Sequence, residues 1–154
     1  DSAAFLIAGI DKNTFSARGP IALESICDTK STEETYPFKL ENKNKMFIIN
    51  TSETIAAILN DLEKGLQRTV MAAKFHNTVA EMILNGLERI SEERGIKRAV
   101  LSGGVFCNTY LSEMVRRKAK HRGIEVFTHR YFSPNDNGMA MGQAIVGAEK
   151  RIKE

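Results

Sequence analysis

Two short segments of this 154-residue chain combine residue types that can handle phosphate. In the first, the apolar pair Val100-Leu101 meets Ser102-Gly103-Gly104 and then Val105-Phe106-Cys107-Asn108. Glycine has no Cβ, so a Gly-Gly pair lets backbone come within contact distance of a ligand. Where a helix follows, its first N–H groups lack intrahelical acceptors and its dipole favours an anion. The same pair also serves a plain tight turn between strand and helix, and the pattern alone leaves both readings open. In the second segment, Ser133-Pro134-Asn135-Asp136-Asn137-Gly138 precedes a helical pattern. Asp136 can cap that helix or close an Asx turn. As an uncommitted carboxylate it can instead hold a hard cation that bridges phosphate oxygens. Asn108 faces a parallel choice between capping a helix and offering its amide to a nucleotide.

The other reactive side chains read more plainly. Cys27 and Cys107 are far apart and have no C-x-x-C partner, which leaves zinc, iron–sulfur and thioredoxin-like chemistry unsupported. Cys107 adjoins the glycine loop, but no base stands beside it in sequence to activate a thiolate. His76 has Ala80 at i+4, so no second ligand shares its helix face and a structural role is expected. His121 and His129 are read as surface residues. Gly142 is read as a packing position, Phe106 as a plug beneath the loop, and the six methionines as gap-fillers.

These segments need elements to hold them. The chain carries 22 basic and 19 acidic residues, a net charge of +3, and its Arg116-Arg117-Lys118 run reads as a solvated helix face rather than a nucleic-acid footprint. The length fits one domain, 1–154. No apolar run is long enough to span a bilayer. The chain starts at Asp1 without Met, as expected of a processed or cut piece. Short helical pieces are predicted over 3–8 and 20–26, then a polar loop over 28–35. Strands over 36–40 and 46–49 form a hairpin across 41–45. Thr51 or Ser52 caps a helix ending near Gly65. A long helix over 69–94 buries Val70, Ala73, Val79, Ala80, Ile83, Leu87 and Ile90, and Gly95 stops it. A strand over 98–101, a helix over 108–122, Gly123 as its stop, a strand over 125–128 and a helix from Met139 to about Lys150 complete the chain. A right-handed crossover makes the last two strands parallel, with both chemistry-bearing loops at their carboxyl ends, where open α/β sheets bind ligands.

The wording of these segments resembles one family. Leu101-Ser102-Gly103-Gly104-Val105-Phe106-Cys107-Asn108 and Pro134-Asn135-Asp136-Asn137-Gly138-Met139-Ala140-Met141-Gly142-Gln143-Ala144 are similar to the LSGGVFQN and PxNDGGxxLGQA segments of the HypF carbamoyltransferases. Ala72 to Ala80 resembles that family's AxxFHxTxA helix, and Tyr36-Pro37-Phe38 its YPF. Gly19-Pro20-Ile21-Ala22-Leu23-Glu24 is a looser echo of EGxAAxxLE. The resemblance implies an α/β fold, the C-terminal lobe of an actin-like (ASKHA-type) ATPase module with a βαβα core behind a hairpin and helices. It implies a carbamoyltransferase that forms carbamoyl-adenylate from ATP and carbamoyl phosphate. The acceptor would be the C-terminal cysteine of a HypE-like partner, in nickel–iron hydrogenase maturation in the cytoplasm. Gly103, Gly104 and Asn108 would then meet the nucleotide phosphates, and Asp136 a divalent metal ion; no membrane or nucleic-acid partner is implied.

The match has departures. Cys107 replaces a usual Gln, Asn137 a common Gly, and Arg18-Gly19 stands where the family reads EG. The family's paired metal-binding histidines have no counterpart here, so the chain reads as one lobe whose other half lies upstream or on another polypeptide. Two alternatives stay open: a tRNA threonylcarbamoyl- or small-molecule O-carbamoyltransferase of the same superfamily, and a non-catalytic nucleotide-binding or interaction lobe. Phe106 and Phe75-His76-Asn77-Thr78 favour the HypF wording.

Overall fold

A computed structural model describes residues 2–44 and 46–152, so Lys45 of the expected hairpin link lies outside the described residues. The elements in order are α1 Ser2–Ala8, α2 Arg18–Ser25, β1 Lys39–Lys43, β2 Met46–Asn50, α3 Ser52–Glu63, α4 Arg68–Arg94, β3 Arg98–Leu101, α5 Thr109–His121, β4 Glu125–Thr128 and α6 Met139–Ile152. They gather into two compact units, 1–86 and 87–154, and α4 contributes residues to both.

In the first unit the apolar faces of α1, α2, α3 and α4 meet around Ala4, Ile7, Leu23, Tyr36, Ile58, Met71 and Ala72. Full burial of an Ile or Met side chain contributes about 1.5–3 kcal/mol each, so this cluster carries much of the unit's stability. β1 and β2 pair antiparallel as the hairpin, with Leu40 opposite Ile49. The first strand begins at Lys39 rather than at Tyr36. Pro37 has no N–H to give a ladder, and its carbonyl instead accepts from Thr54 Oγ1 at 2.6 Å. The Tyr36 N–H donates to Thr78 Oγ1 at 2.7 Å, and Tyr36 is buried under Lys74, whose Nζ lies 4.6 Å from the ring centroid. The Tyr-Pro-Phe segment is therefore docked by side chains, not by a sheet.

The long helix differs from its predicted stripe. Its buried residues are Met71, Ala72, Ala73, His76, Asn77, Thr78, Ala80, Leu84 and Gly86, whereas Val70, Val79, Ile83 and Leu87 are half-buried and Ile90 is exposed. The reason is chemical. Small alanines admit close neighbours, and the polar residues are buried because each has a partner, which a count of apolar positions cannot see. Asn77 Nδ2 donates to the carbonyls of Thr32 and Glu34 at 3.0 and 3.1 Å. His76 Nδ1 lies 2.7 Å from the Ala72 carbonyl, and burial holds its imidazole below the usual 6.5 while that carbonyl pulls the other way. His76 is a core residue, as the sequence indicates. Burial, reinforced by Asp28 and Glu24, likewise pushes the Cys27 thiol up to about 11 and makes it a poor nucleophile.

In the second unit β3 and β4 pair in parallel, Arg98 with Glu125 through Leu101 with Thr128. The connection runs through α5, giving the expected β-loop-α-β-loop-α order. Leu101, Leu111, Met114, Val115, Ala119 and Ile124 form its buried side. Arg116, Arg117 and Lys120 of α5 are exposed and Lys118 is half-buried; Arg116 pairs with Glu113 at 2.6 Å, a solvated face. Among the described residues no helix is long and apolar enough to cross a membrane.

The Thr78 hydroxyl also donates to the Lys74 carbonyl at 2.7 Å, so it serves two buried backbone groups at once. Thr78→Val keeps the shape and strands the Tyr36 N–H, which should cost about 1–3 kcal/mol in urea denaturation. Thr78→Ser should recover most of that loss. An unchanged midpoint for the Val variant would show that the Tyr36 segment is not held by this bond.

Candidate functional site

The parallel pairing decides where the two loops start. Because Leu101 is level with Thr128, the chain leaves both strands side by side at one sheet end. After β3, Gly103 adopts φ 100°, a conformation that glycine alone enters at little cost. That turn leads into a 3-10 turn, Gly104–Cys107, and then α5. After β4, the second loop reaches a 3-10 turn at Asp136–Gly138, which runs straight into α6. The Gly103 N–H donates to the Pro134 carbonyl at 2.7 Å, and Cys107 Sγ lies 3.7 Å from Ser133 Oγ. The two loops are thereby held to one another.

Between them lies an open cavity of about 460 Å³. Gly103, Asp136, Ser133 and Asn135 form its polar side, with Ser102 and His129 at the strand ends. Met139, Met141, Gly142 and Ile145 of α6 form an apolar side. Gly103 and Asp136 thus come together as the sequence suggests. Gly104 lies next to Gly103 without lining the cavity, and Asn108 stands outside it.

Asn108 is the N-cap of α5: its Oδ1 accepts from the Leu111 N–H at 2.8 Å. Its carbonyl oxygen is therefore spent on the helix, and the capping alternative is the one the structure displays. Asp136 goes the other way. The cap of its turn is Asn135, whose Oδ1 accepts from the Asn137 N–H at 3.0 Å. The exposed Asp136 carboxylate has no hydrogen-bond or ion-pair partner among the described residues, so capping does not account for it.

The glycines separate in the same way. A Cβ on Gly138 would sit 3.1 Å from the Ser133 carbonyl, so this loop needs a small residue there. Gly104 has no such need: its φ is not positive and a Cβ there would meet nothing within 4 Å. Its N–H and that of Val105 have no acceptor among the described residues, leaving two adjacent donors at the exposed turn. Gly142 is exposed with open space around its Cβ position, so the packing role expected for it is replaced by a place on the cavity wall. Met139 and Met141 are likewise exposed on that wall rather than filling gaps, and Phe106 is half-buried.

Sequence reasoning missed Ser102 and His129. Each directly follows its strand, at the positions after the paired Leu101 and Thr128, and His129 Nε2 lies 3.1 Å from Ser102 Oγ. Only the strand register reveals that a histidine 27 residues away is a neighbour. No group of three or more His, Cys, Asp or Glu side chains able to cage a metal occurs among the described residues. Asp136 could supply one ligand.

Substitution at the two loop glycines should separate conformation from contact. Gly103→Ala forces a side chain into φ 100° and should lower stability by about 1 kcal/mol or more. Gly104→Ala should stay within about 0.5 kcal/mol of the parent, because neither backbone nor neighbours require glycine. Equal losses in thermal melts would mean that Gly104 is a structural requirement of the turn.

This geometry coincides with a described family. Residues 1–143 match the family model "Carbamoyltransferase, Kae1-like Domain, second subdomain". The chain is 33% identical to carbamoyltransferase HypF of Synechocystis sp. over 98% of its own length and 19% of that protein's. It is also 30% identical, over 57% of its length, to a tRNA N6-adenosine threonylcarbamoyltransferase of Prochlorococcus marinus, covering 25% of that protein. The crystal structure of full-length HypF in the phosphate- and nucleotide-bound form superposes with a TM-score of 0.86 at 30% identity, over 96% of this chain and 19% of that one. The chain thus spans about a fifth of the length of the HypF proteins it matches, and its α/β fold is that of their Kae1-like lobe. The strand–glycine-loop–helix unit and the Asp136 loop are parts of this shared architecture, and the chain belongs to the HypF-type carbamoyltransferases as the second subdomain of their Kae1-like domain.

Proposed function

We propose that this chain is the phosphate-facing lobe of a carbamoyltransferase that uses ATP and carbamoyl phosphate to make carbamoyl-adenylate. The carbamoyl group then passes to the C-terminal cysteine thiol of a HypE-like protein in nickel–iron hydrogenase maturation, a cytoplasmic process. The observation that carries the reading is the cavity in which the exposed glycine turn and the uncommitted Asp136 carboxylate are tied together by the Gly103–Pro134 bond.

The residues present fit an anion of this kind. The Gly104 and Val105 N–H groups can donate to phosphate oxygens, which suits backbone donors at a turn opening a helix. The absence of a Cβ at Gly104 lets a phosphate approach the main chain. The α6 wall of Met139, Met141 and Ile145 offers an apolar surface for a nucleobase, and polar groups converge on the other side. Asp136 fits a divalent cation as one oxygen ligand, the remaining ligands coming from the nucleotide, water and the first subdomain. Such a cation would neutralise charge on the phosphate oxygens. Overall, carbamoyl phosphate, water and ATP give carbamoyl-adenylate, inorganic phosphate and pyrophosphate: water cleaves the carbamoyl–phosphate bond, and the carbamate displaces pyrophosphate from the α-phosphorus. Thiolate attack on the carbamoyl carbon then releases AMP. This chain's part is to hold and orient the phosphates, with the first subdomain completing the site.

The similarity to a tRNA threonylcarbamoyltransferase over 57% of the chain supports a second acceptor, a tRNA adenosine. The similarity to HypF extends over 98%, through the Tyr-Pro-Phe and Phe-His-Asn-Thr segments, and favours the thiol acceptor.

Asp136→Asn tests the metal role in the module assembled with its first subdomain. An exposed residue that caps nothing should leave the melting curve unchanged. Losing a charge-assisted contact of about 3 kcal/mol corresponds to roughly a hundredfold fall in carbamoyl-phosphate-dependent ATP–pyrophosphate exchange. Full exchange by the Asn variant across a magnesium titration would remove Asp136 from the site.

A further inference from the structure

The loop after β4 carries a side chain that neither the glycine turn nor Asp136 accounts for. His129 lines the cavity, and its Nε2 lies 3.1 Å from Ser102 Oγ, the residue that opens the glycine loop. The pairing is a consequence of register: Leu101 and Thr128 are partners in the parallel ladder, and Ser102 and His129 are the next residue on each strand. A hydroxyl and an imidazole are thus fixed across the strand ends, at the mouth that Gly103 and Asp136 share.

We propose that His129, oriented by Ser102, is a further anion-contacting residue of this cavity, placing an N–H donor on the phosphate from the strand ends. The inference rests on the phosphate reading of the cavity and adds to it a second wall. When Ser102 Oγ–H donates to Nε2, the neutral ring carries its proton on Nδ1, and that nitrogen has no partner among the described residues. Nδ1–H is then the donor left for a ligand. Protonation of the ring would leave both nitrogens as donors, with Ser102 turned to accept, so the contact survives in either state.

The arrangement has a chemical logic. Backbone amides at Gly104 and Val105 reach one set of phosphate oxygens. A phosphate also exposes oxygens on its far side, and a cation at Asp136 can satisfy only part of them. A histidine beside the strand ends can donate there without adding a permanent charge that would hold product. Ser102 is a positioning residue in this scheme, because it acts through the ring it orients. Without it, a ring on an exposed loop would sample several rotamers, and part of the binding energy would be lost to ordering it.

The test uses the chain assembled with the first subdomain of its module, with magnesium ATP and inorganic phosphate as separate probes. In wild type, the side-chain 15N resonances of His129 should shift on addition of either probe. His129→Ala should weaken ATP binding by about tenfold, the worth of one charge-assisted hydrogen bond, with melting unchanged. His129→Asn should recover part of that affinity, since its amide can stand near the lost Nδ1–H. Ser102→Ala should weaken binding by about threefold and broaden the His129 resonances, which a merely structural Ser102 would not do. A shift with phosphate alone identifies the phosphoryl group as the contact, and a shift only with ATP places the contact on the nucleoside. That second result, unmoved His129 resonances, or full affinity in His129→Ala would each overturn the inference while ATP binding sensitive to Gly104→Val leaves the phosphate reading standing. Failure of wild type to bind ATP at all would overturn both.

Discussion

A single backbone hydrogen bond, from the Gly103 N–H to the Pro134 carbonyl at 2.7 Å, ties the two chemistry-bearing loops of this chain. Its net worth is only about 1 kcal/mol, yet its position gives it leverage. It can form because β3 and β4 are parallel neighbours, so their loops leave the sheet about one strand spacing apart. It also uses the φ 100° of Gly103, after which the amides of Gly104 and Val105 have no acceptor among the described residues. The backbone thus uses one glycine donor to join the loops. That bond holds the Asp136 loop beside the glycine turn, on the strand register that also sets Ser102 next to His129.

The surroundings of the cavity carry the same economy. Helix caps are supplied by asparagines: Asn108 holds the start of α5 and Asn135 the turn before α6. Because Asn135 takes the capping work, Asp136 one residue later keeps its charge uncommitted. Parallel sheets usually have both faces covered. Here the cross-strand partners Val100 and Phe127 are 68% and 46% exposed, and Ile145 and Val146 of α6 are 59% and 55% exposed.

Much of this was legible in the residues. The Gly-Gly pair after an apolar run, the periodicity of α5 and the stop at Gly123 are local signals, and local signals fix a strand, a turn and a helix without tertiary help. The parallel order followed from the handedness of the crossover. What escaped was set by contacts between distant residues. His129 looks like an ordinary surface histidine until the register places Ser102 beside it. The buried face of α4 escapes a count of apolar positions because its interior is built from alanine and from hydrogen-bonded polar residues, Asn77 and Thr78 with partners in residues 32–36 and His76 with the Ala72 carbonyl. Asp136 and Asn135 are equally good caps by residue type, and only the backbone of the turn chose between them. The aromatic residues of the Tyr36 segment suggest a strand, yet side-chain hydroxyls, not a ladder, hold it.

In the proposed function, the 103–105 turn and the 133–138 loop close together around the phosphates of one nucleotide. Amide hydrogen exchange of this chain, assembled with its first subdomain and compared with and without magnesium ATP, tests it directly. Gly104 and Val105 should become protected together with residues 135–138, at the same nucleotide concentration. Protection confined to one loop, or to neither while ATP binds elsewhere, would contradict it.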